Sequence, residues 1–157
     1  MSDSKCNPNP VEASEVKKGH HIILKGRPCK IVDVTHAKTG KHGHMKVTMT
    51  GIDVLNSQKC ILNVPGHKTV TRFDLIKKEY EVMQIQDNVI EYLDDRDNLL
   101  QMKVSASDSE TVADLLTTFP KAGDKRFLIT VVIAPVEKSE GVYVDEEVLE
   151  SFKTESG

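Results

Sequence analysis

Between positions 38 and 46 the chain reads KTGKHGHMK, three lysines, two histidines and two glycines in nine residues. Several kinds of chemistry use such residues. His36, His42 and His44 offer imidazoles, the commonest metal-binding side chain. No carboxylate or cysteine lies beside them, however, and Lys38, Lys41 and Lys46 would repel a dication. A metal site is therefore disfavoured. A glycine-rich stretch can also cradle phosphate, but TGKHG lacks the spacing of a P-loop and no helical pattern follows it. Two readings remain. In one, the stretch is a solvated hairpin tip whose glycines only permit positive φ. In the other it is a probe: Gly40 and Gly43 flank Lys41-His42, and the bare backbone there delivers a cation to a modifying enzyme or a polyanionic pocket. A simple hairpin closes with about two to five loop residues. The excursion from His36 to His44 is longer, and arms of about four residues at ~3.3 Å each would project the tip by ~13 Å.

Such a tip needs strands to hold it out. HHIILK (20–25) is apolar at its centre and stops at Gly26-Arg27-Pro28, and CKIVDVT (29–35) leads into the loop. KVTMTGIDVL (46–55) leaves it with strand-like alternation of Val47, Met49 and Gly51, and CILNVP (60–65) and HKTVTRF (67–73) follow. Five short strands in so few residues each need a buried face, which a small closed barrel provides without long free edges. The second half opens with YEVMQIQ (80–86), VIEYL (89–93) and LLQMKV (99–104). The period then changes: Val112, Leu115, Leu116 and Phe119 recur at helical spacing after Ser107 or Ser109 as N-cap, and Pro120 ends the run. RFLITVVIAPV (126–136) and GVYV (141–144) read as strands, so the order is that of a five-stranded OB-type barrel with one helix. Its core is expected from Met83, Ile85, Leu100, Leu116, Ile129 and Val131, and the halves are expected to separate near Asp74.

Charge supports a division. Residues 1–74 hold 12 Lys+Arg against 6 Asp+Glu, a formal +6, and all six histidines; residues 75–157 hold 9 against 18, a formal −9, which together give the net −3. A polyanion would meet the first half. Cys6, Cys29 and Cys60 are too scattered for a disulfide framework or a zinc ribbon, and Cys29 and Cys60 lie in apolar runs that suit small core residues. No apolar run approaches the ~20 residues of a membrane helix. MSDSKCNPNP lacks the layout of a signal peptide and reads as a loose tail, so no membrane contact and a cytoplasmic location are expected.

KTGKHGH, preceded by GRPCKIVDV and followed by KVTMTGIDV, resembles the eukaryotic translation initiation factor 5A family, the factors that carry hypusine. The resemblance runs from about Val16 to Val144 and is densest over 25–54, with a further match at IQD (85–87). It implies an SH3-like N-terminal barrel and an OB-fold C-terminal domain. Bacterial elongation factor P is similar in role but has a third domain, for which this chain is too short. The implied organisation is a flexible N-terminal tail (1–15), an SH3-like domain with the hypusine loop (16–74), an OB-fold domain (75–144) and an acidic C-terminal tail (145–157).

By the same resemblance Lys41 is the lysine converted to hypusine. Deoxyhypusine synthase, with NAD of its own, transfers an aminobutyl group from spermidine, and deoxyhypusine hydroxylase adds a hydroxyl. Lys38, Thr39, Gly40, His42, Gly43 and His44 support modification and tRNA contact. Lys46, Arg27 and Lys30 are candidates for RNA phosphates. The implied partners are the ribosome, its RNA and the peptidyl-tRNA, whose acceptor end hypusine approaches to aid peptide-bond formation at stalled sequences and to assist termination. No catalytic residue, metal or cofactor of the chain's own is implied, and Asp33 and His67 are expected to be structural or solvated. Met45 stands where the family more often has a small residue, and the stretch after Val144 does not match. An unmodified RNA-binding module using both barrels is the rival, opposed by the −9 of the second half.

Overall fold

The computed structural model describes residues 4–38 and 45–155 of the 157-residue chain. Its described residues are mostly strand, in two sheets. The first sheet holds β1 (Asn9–Glu12), β2 (His21–Leu24), β3 (Arg27–Lys38), β4 (Met45–Asp53), β5 (Lys59–Pro65) and β6 (Thr69–Arg72), in the order β1-β6-β2-β3-β4-β5. The second holds β7 (Ile76–Gln86), β8 (Val89–Leu93), β9 (Leu99–Lys103), β10 (Arg126–Ser139) and β11 (Val142–Glu155), in the order β11-β10-β7-β8-β9, with helix α1 (Glu110–Thr118) between β9 and β10 in sequence. The chain divides into two compact units, Met1–Ile76 with Ile133–Glu147, and Lys77–Val132 with Val148–Gly157.

In the first unit, alternation along β4 turns Val47, Met49, Gly51 and Asp53 inward. Val47 and Met49 meet Ile22 and Leu24 of β2 and Cys29 and Ile31 of β3 in an aliphatic core. Gly51 is glycine for want of room: a Cβ there would lie 2.8 Å from the Cys29 Cβ and 3.0 Å from Leu24 Cδ1. Past Ile31 the register shifts around Val32, and from Asp33 onward β3 is almost entirely exposed. A second cluster joins Cys6, Ile23, Phe73 and Ala134.

In the second unit α1 begins at Ser109, whose hydroxyl accepts from the Val112 N–H at 3.1 Å. Val112 and Leu115 face inward, and Pro120 turns the chain into a single 3-10 turn. Phe127 sits edge-on to Phe119 and stacked with Phe152, and the core is completed by Val82, Ile90, Tyr92, Ile129, Val131, Val132 and Leu149.

Four expectations need correction. From Cys6 on, the expected N-terminal tail is tied down: Asn9–Glu12 pair with β6, and Cys6 is fully buried with its carbonyl accepting from the Asp74 N–H at 2.7 Å. The acidic C-terminal stretch is neither helix nor loose through Glu155 but the second arm of a long hairpin with β10. That hairpin's tip belongs to the first unit, so the boundary is not one cut near Asp74. Met83 and Leu100 are 50% and 38% exposed, because a register shift between Val82 and Gln84 turns Val82 inward, and Leu100 lies on the edge strand β9. Of the remaining expected core, Ile129 and Val131 are fully buried, while Ile85 and Leu116 are only partly so.

Candidate functional site: the basic end of the first sheet

The ladder between β3 and β4 runs from Cys29↔Asp53 to Lys38↔Met45. β5 supports β4 from Ile52↔Lys59 as far as Lys46↔Pro65, so the middle of the hairpin is braced on one side only. Pairing reaches Lys38 and Met45, two residues beyond His36, which leaves six residues to connect the arms instead of the nine expected. Thr39, Gly40, Lys41, His42, Gly43 and His44 lie outside the described residues.

Lys38 and Lys46 are both exposed, on opposite arms at this end of the ladder. Lys30 is exposed too, but it sits near the other end, opposite Ile52. Arg27 is engaged: its Nε donates to Asp53 Oδ2 at 2.6 Å, and Asp53 is the one buried charged residue among those described. The other carboxylate oxygen, Oδ1, accepts from the N–H groups of Leu55 and Asn56, pinning the turn into β5. The bond to Asp53 raises the Arg27 pKa further above its ordinary value, which keeps the guanidinium charged and committed to that pair. Arg27 thus closes a turn, and Lys38 and Lys46 are the described basic residues collected at the exposed end.

His36 is exposed opposite Val47 on the arm. Among the described residues no three His, Cys, Asp or Glu side chains are grouped to hold a metal ion. Asp33 is exposed opposite Thr50, and His67 is exposed in the turn between β5 and β6. Sequence reading passed over Asp53 and Gly66. A lone aspartate at the end of an alternating strand, followed by VLNSQ, was the available signal for the first; a glycine after Pro65 was that for the second.

A family profile described as translation initiation factor 5A-like, N-terminal, matches residues 6–68. The chain is 32% identical over 130 residues to eukaryotic translation initiation factor 5A-1 of Schizosaccharomyces pombe, covering 83% of this chain and 81% of that one. With the corresponding factor of Saccharomyces cerevisiae it shares 30% identity over 130 residues, with the same coverage. A stronger but shorter match, 40% over 85 residues, joins it to the Dictyostelium discoideum factor and spans 54% of that protein. Among solved structures, a translation initiation factor eIF-5A family protein from Naegleria fowleri superposes with a TM-score of 0.76 at 25% identity, covering 93% of this chain and 98% of that one. The Methanococcus jannaschii factor shares the fold at 17% identity, with a TM-score of 0.63.

Fold and relatives define a class, the two-domain translation factors with an SH3-like barrel followed by an OB-fold barrel, rather than any class of enzyme. Within that class the chain belongs to the eukaryotic translation initiation factor 5A family.

Proposed function

We propose that this translation factor binds the ribosome, carries hypusine on Lys41, and uses it to support peptide-bond formation at stalled sites such as proline runs, and at termination. The observation that carries the reading is the β3–β4 ladder. Its arms stay paired to Lys38 and Met45, and the six intervening residues hold Lys41 between Gly40 and His42 in the matched motif. A β-ribbon of that length is a stiff mount for a cation that must work away from the barrel. Lengthening Lys41 by an aminobutyl group and a hydroxyl adds a second amine and a donor-acceptor, suited to phosphate and ribose hydroxyls at close range. Thr39, Gly40, His42, Gly43 and His44 would serve recognition by the synthase and hydroxylase and contact with the tRNA end. Lys38 and Lys46 would add phosphate attraction, Lys30 less, and Arg27 least because of Asp53. The chemistry itself belongs to ribosomal RNA, and the factor contributes position and charge. Work of this kind takes place in the cytoplasm; among the described residues no helix is long and apolar enough to cross a membrane.

Peptide sequencing by mass spectrometry on chain purified from its source should place the added mass on Lys41. Lys41→Arg keeps a charge but offers no primary amine. It should fold normally and lose all rescue of proline-run synthesis. Full rescue by that variant would leave the unmodified RNA-binding module as the better account.

A further inference from the structure

At Pro65 the support from β5 runs out, because proline has no N–H to donate and Lys46↔Pro65 is the last regular pair with β4. Met45, one residue further along, is still held: the Gly66 N–H donates to its carbonyl at 2.8 Å. Gly66 is fixed in turn, since its own carbonyl accepts from the Ser14 N–H at 2.9 Å. The side chains reinforce the backbone. Met45 is half-buried and packs against the first unit's core, and its Cε stands within 2.8 Å of where a Gly66 Cβ would be. A flexible thioether thus fills the room that an absent side chain leaves. Across the ladder from Met45 is Lys38, so the pair Lys38–Met45 forms both ends of the segment 39–44.

We infer that Met45 is a positioning residue: seated on Gly66, it clamps the root of the segment that carries Lys41 and fixes where its two ends point. The inference rests on the reading of Lys41 as the modified lysine. Without the thioether's packing, only the Gly66 backbone bond and the ladder pairing with Lys38 hold Met45, and the last rung opens more often. An enzyme that works beside this rung must then close it, a cost that falls on binding and therefore on KM rather than kcat.

The test uses the full chain as substrate for deoxyhypusine synthase with spermidine and NAD, alongside amide exchange at Gly66, whose N–H makes the bond in question. For Met45→Ala we expect KM to rise about tenfold with kcat within about twofold, and Gly66 exchange to quicken about tenfold. Met45→Leu keeps the volume and should return both to within about twofold of wild type. Gly66→Ala, which displaces only the flexible end of Met45, should resemble Met45→Ala in KM with the fold intact. An unchanged KM in Met45→Ala, a loss confined to kcat, or failure of Met45→Leu to restore KM would overturn the positioning role. If the wild-type chain accepts no label, the Lys41 reading fails instead. Gly66 exchange then still decides the clamp, and an unchanged rate in Met45→Ala rejects it.

Discussion

The two ribbons that end in the first unit handle charge and closure in opposite ways. The β3–β4 ribbon ends among exposed lysines with a six-residue connection; the β10–β11 ribbon, whose tip belongs to the same unit, turns through Glu140-Gly141 alone, with Gly141 at φ +74°. Two residues suffice to close a hairpin when glycine takes the left-handed position. The longer connection on the basic ribbon is therefore not demanded by closure. The acidic ribbon also redraws the charge division. Adding Ile133–Glu147 brings Lys138 and five carboxylates (Glu137, Glu140, Asp145, Glu146, Glu147) to the first unit, so 13 basic and 11 acidic residues leave it at +2, and 8 against 13 leave the second at −5. The formal charge of the first unit is thus small, and Lys38 and Lys46 stand out by lying exposed on opposite arms at one end of the β3–β4 ladder.

The largest effect that separates the units should come from glycine. Gly51→Ala places a methyl against Cys29, Leu24 and the Lys30 carbonyl within a packed sheet, where the backbone carbonyl cannot yield, and should cost about 1–3 kcal/mol. Gly123→Ala in the second unit meets nothing within 4 Å, and its φ of +61° leaves only a backbone penalty of about 1–2 kcal/mol. Denaturant melts of both variants check the ranking. A Gly51→Ala chain as stable as wild type would mean that the core of the first unit is looser than its contacts imply.

Much of this contrast was legible in the sequence. Alternation at Val47, Met49 and Gly51 gave β4 its inward face, and the helical spacing from Val112 with a serine before it gave α1 its start and stop. What escaped reading depended on partners far away in sequence. β1 carries no apolar alternation and is a strand because β6 pairs with it. DEEVLESFKTE is acidic enough to pass for a tail, yet Leu149 is buried and Phe152 stacks on Phe127. The shift beside Met83 is one extra residue, invisible to a period-of-two reading, and it inverts the expected face. At the candidate site, the exposed lysines could be read from composition. The commitment of Arg27 to Asp53, 26 residues away, could not.

Charge reversal gives the intermediate effect. Lys38→Glu, at the basic end, should weaken ribosome binding and flatten its salt dependence by about one unit of slope or less. The matched reversal belongs in the second unit, on exposed Lys103 of β9. Lys138 is unsuitable because it lies in the first unit and pairs with Glu146 at 2.7 Å. Salt-titrated ribosome pelleting should show a clear loss for Lys38→Glu and little for Lys103→Glu. Equal losses would mean that binding follows net charge and not the local end.

The smallest effect is a difference in how the units answer to acid. All six histidines lie in the first unit. Two of them, adjacent in the chain, are held below their ordinary pKa of 6.5: His21 by burial against Phe73 and then by Lys30 and Arg72, with Asp74 opposing, and His20 by burial and then by Arg72 and Lys17. His20 also accepts a hydrogen bond at Nδ1 from the Lys17 N–H, at 3.1 Å, which a protonated ring would forfeit. Because the folded-state pKa lies below the unfolded one, the unfolded chain binds more protons in the window between them, so stability rises with pH there. The contribution is full above about pH 6.5 and declines as pH falls toward the folded-state values. In the second unit Asp94, accepting from the N–H groups of Asn98 and Arg96, is held below the usual carboxylate value of 3.8. Amide exchange compared at about pH 7 and about pH 5.5, after correction for intrinsic rates, should therefore show protection falling in β2 and β6 but not in β7, β8 or α1. The double variant His20→Gln, His21→Gln should abolish that difference. Equal acid loss in both units, or a loss that survives the double variant, would place the acid sensitivity elsewhere than in these two imidazoles.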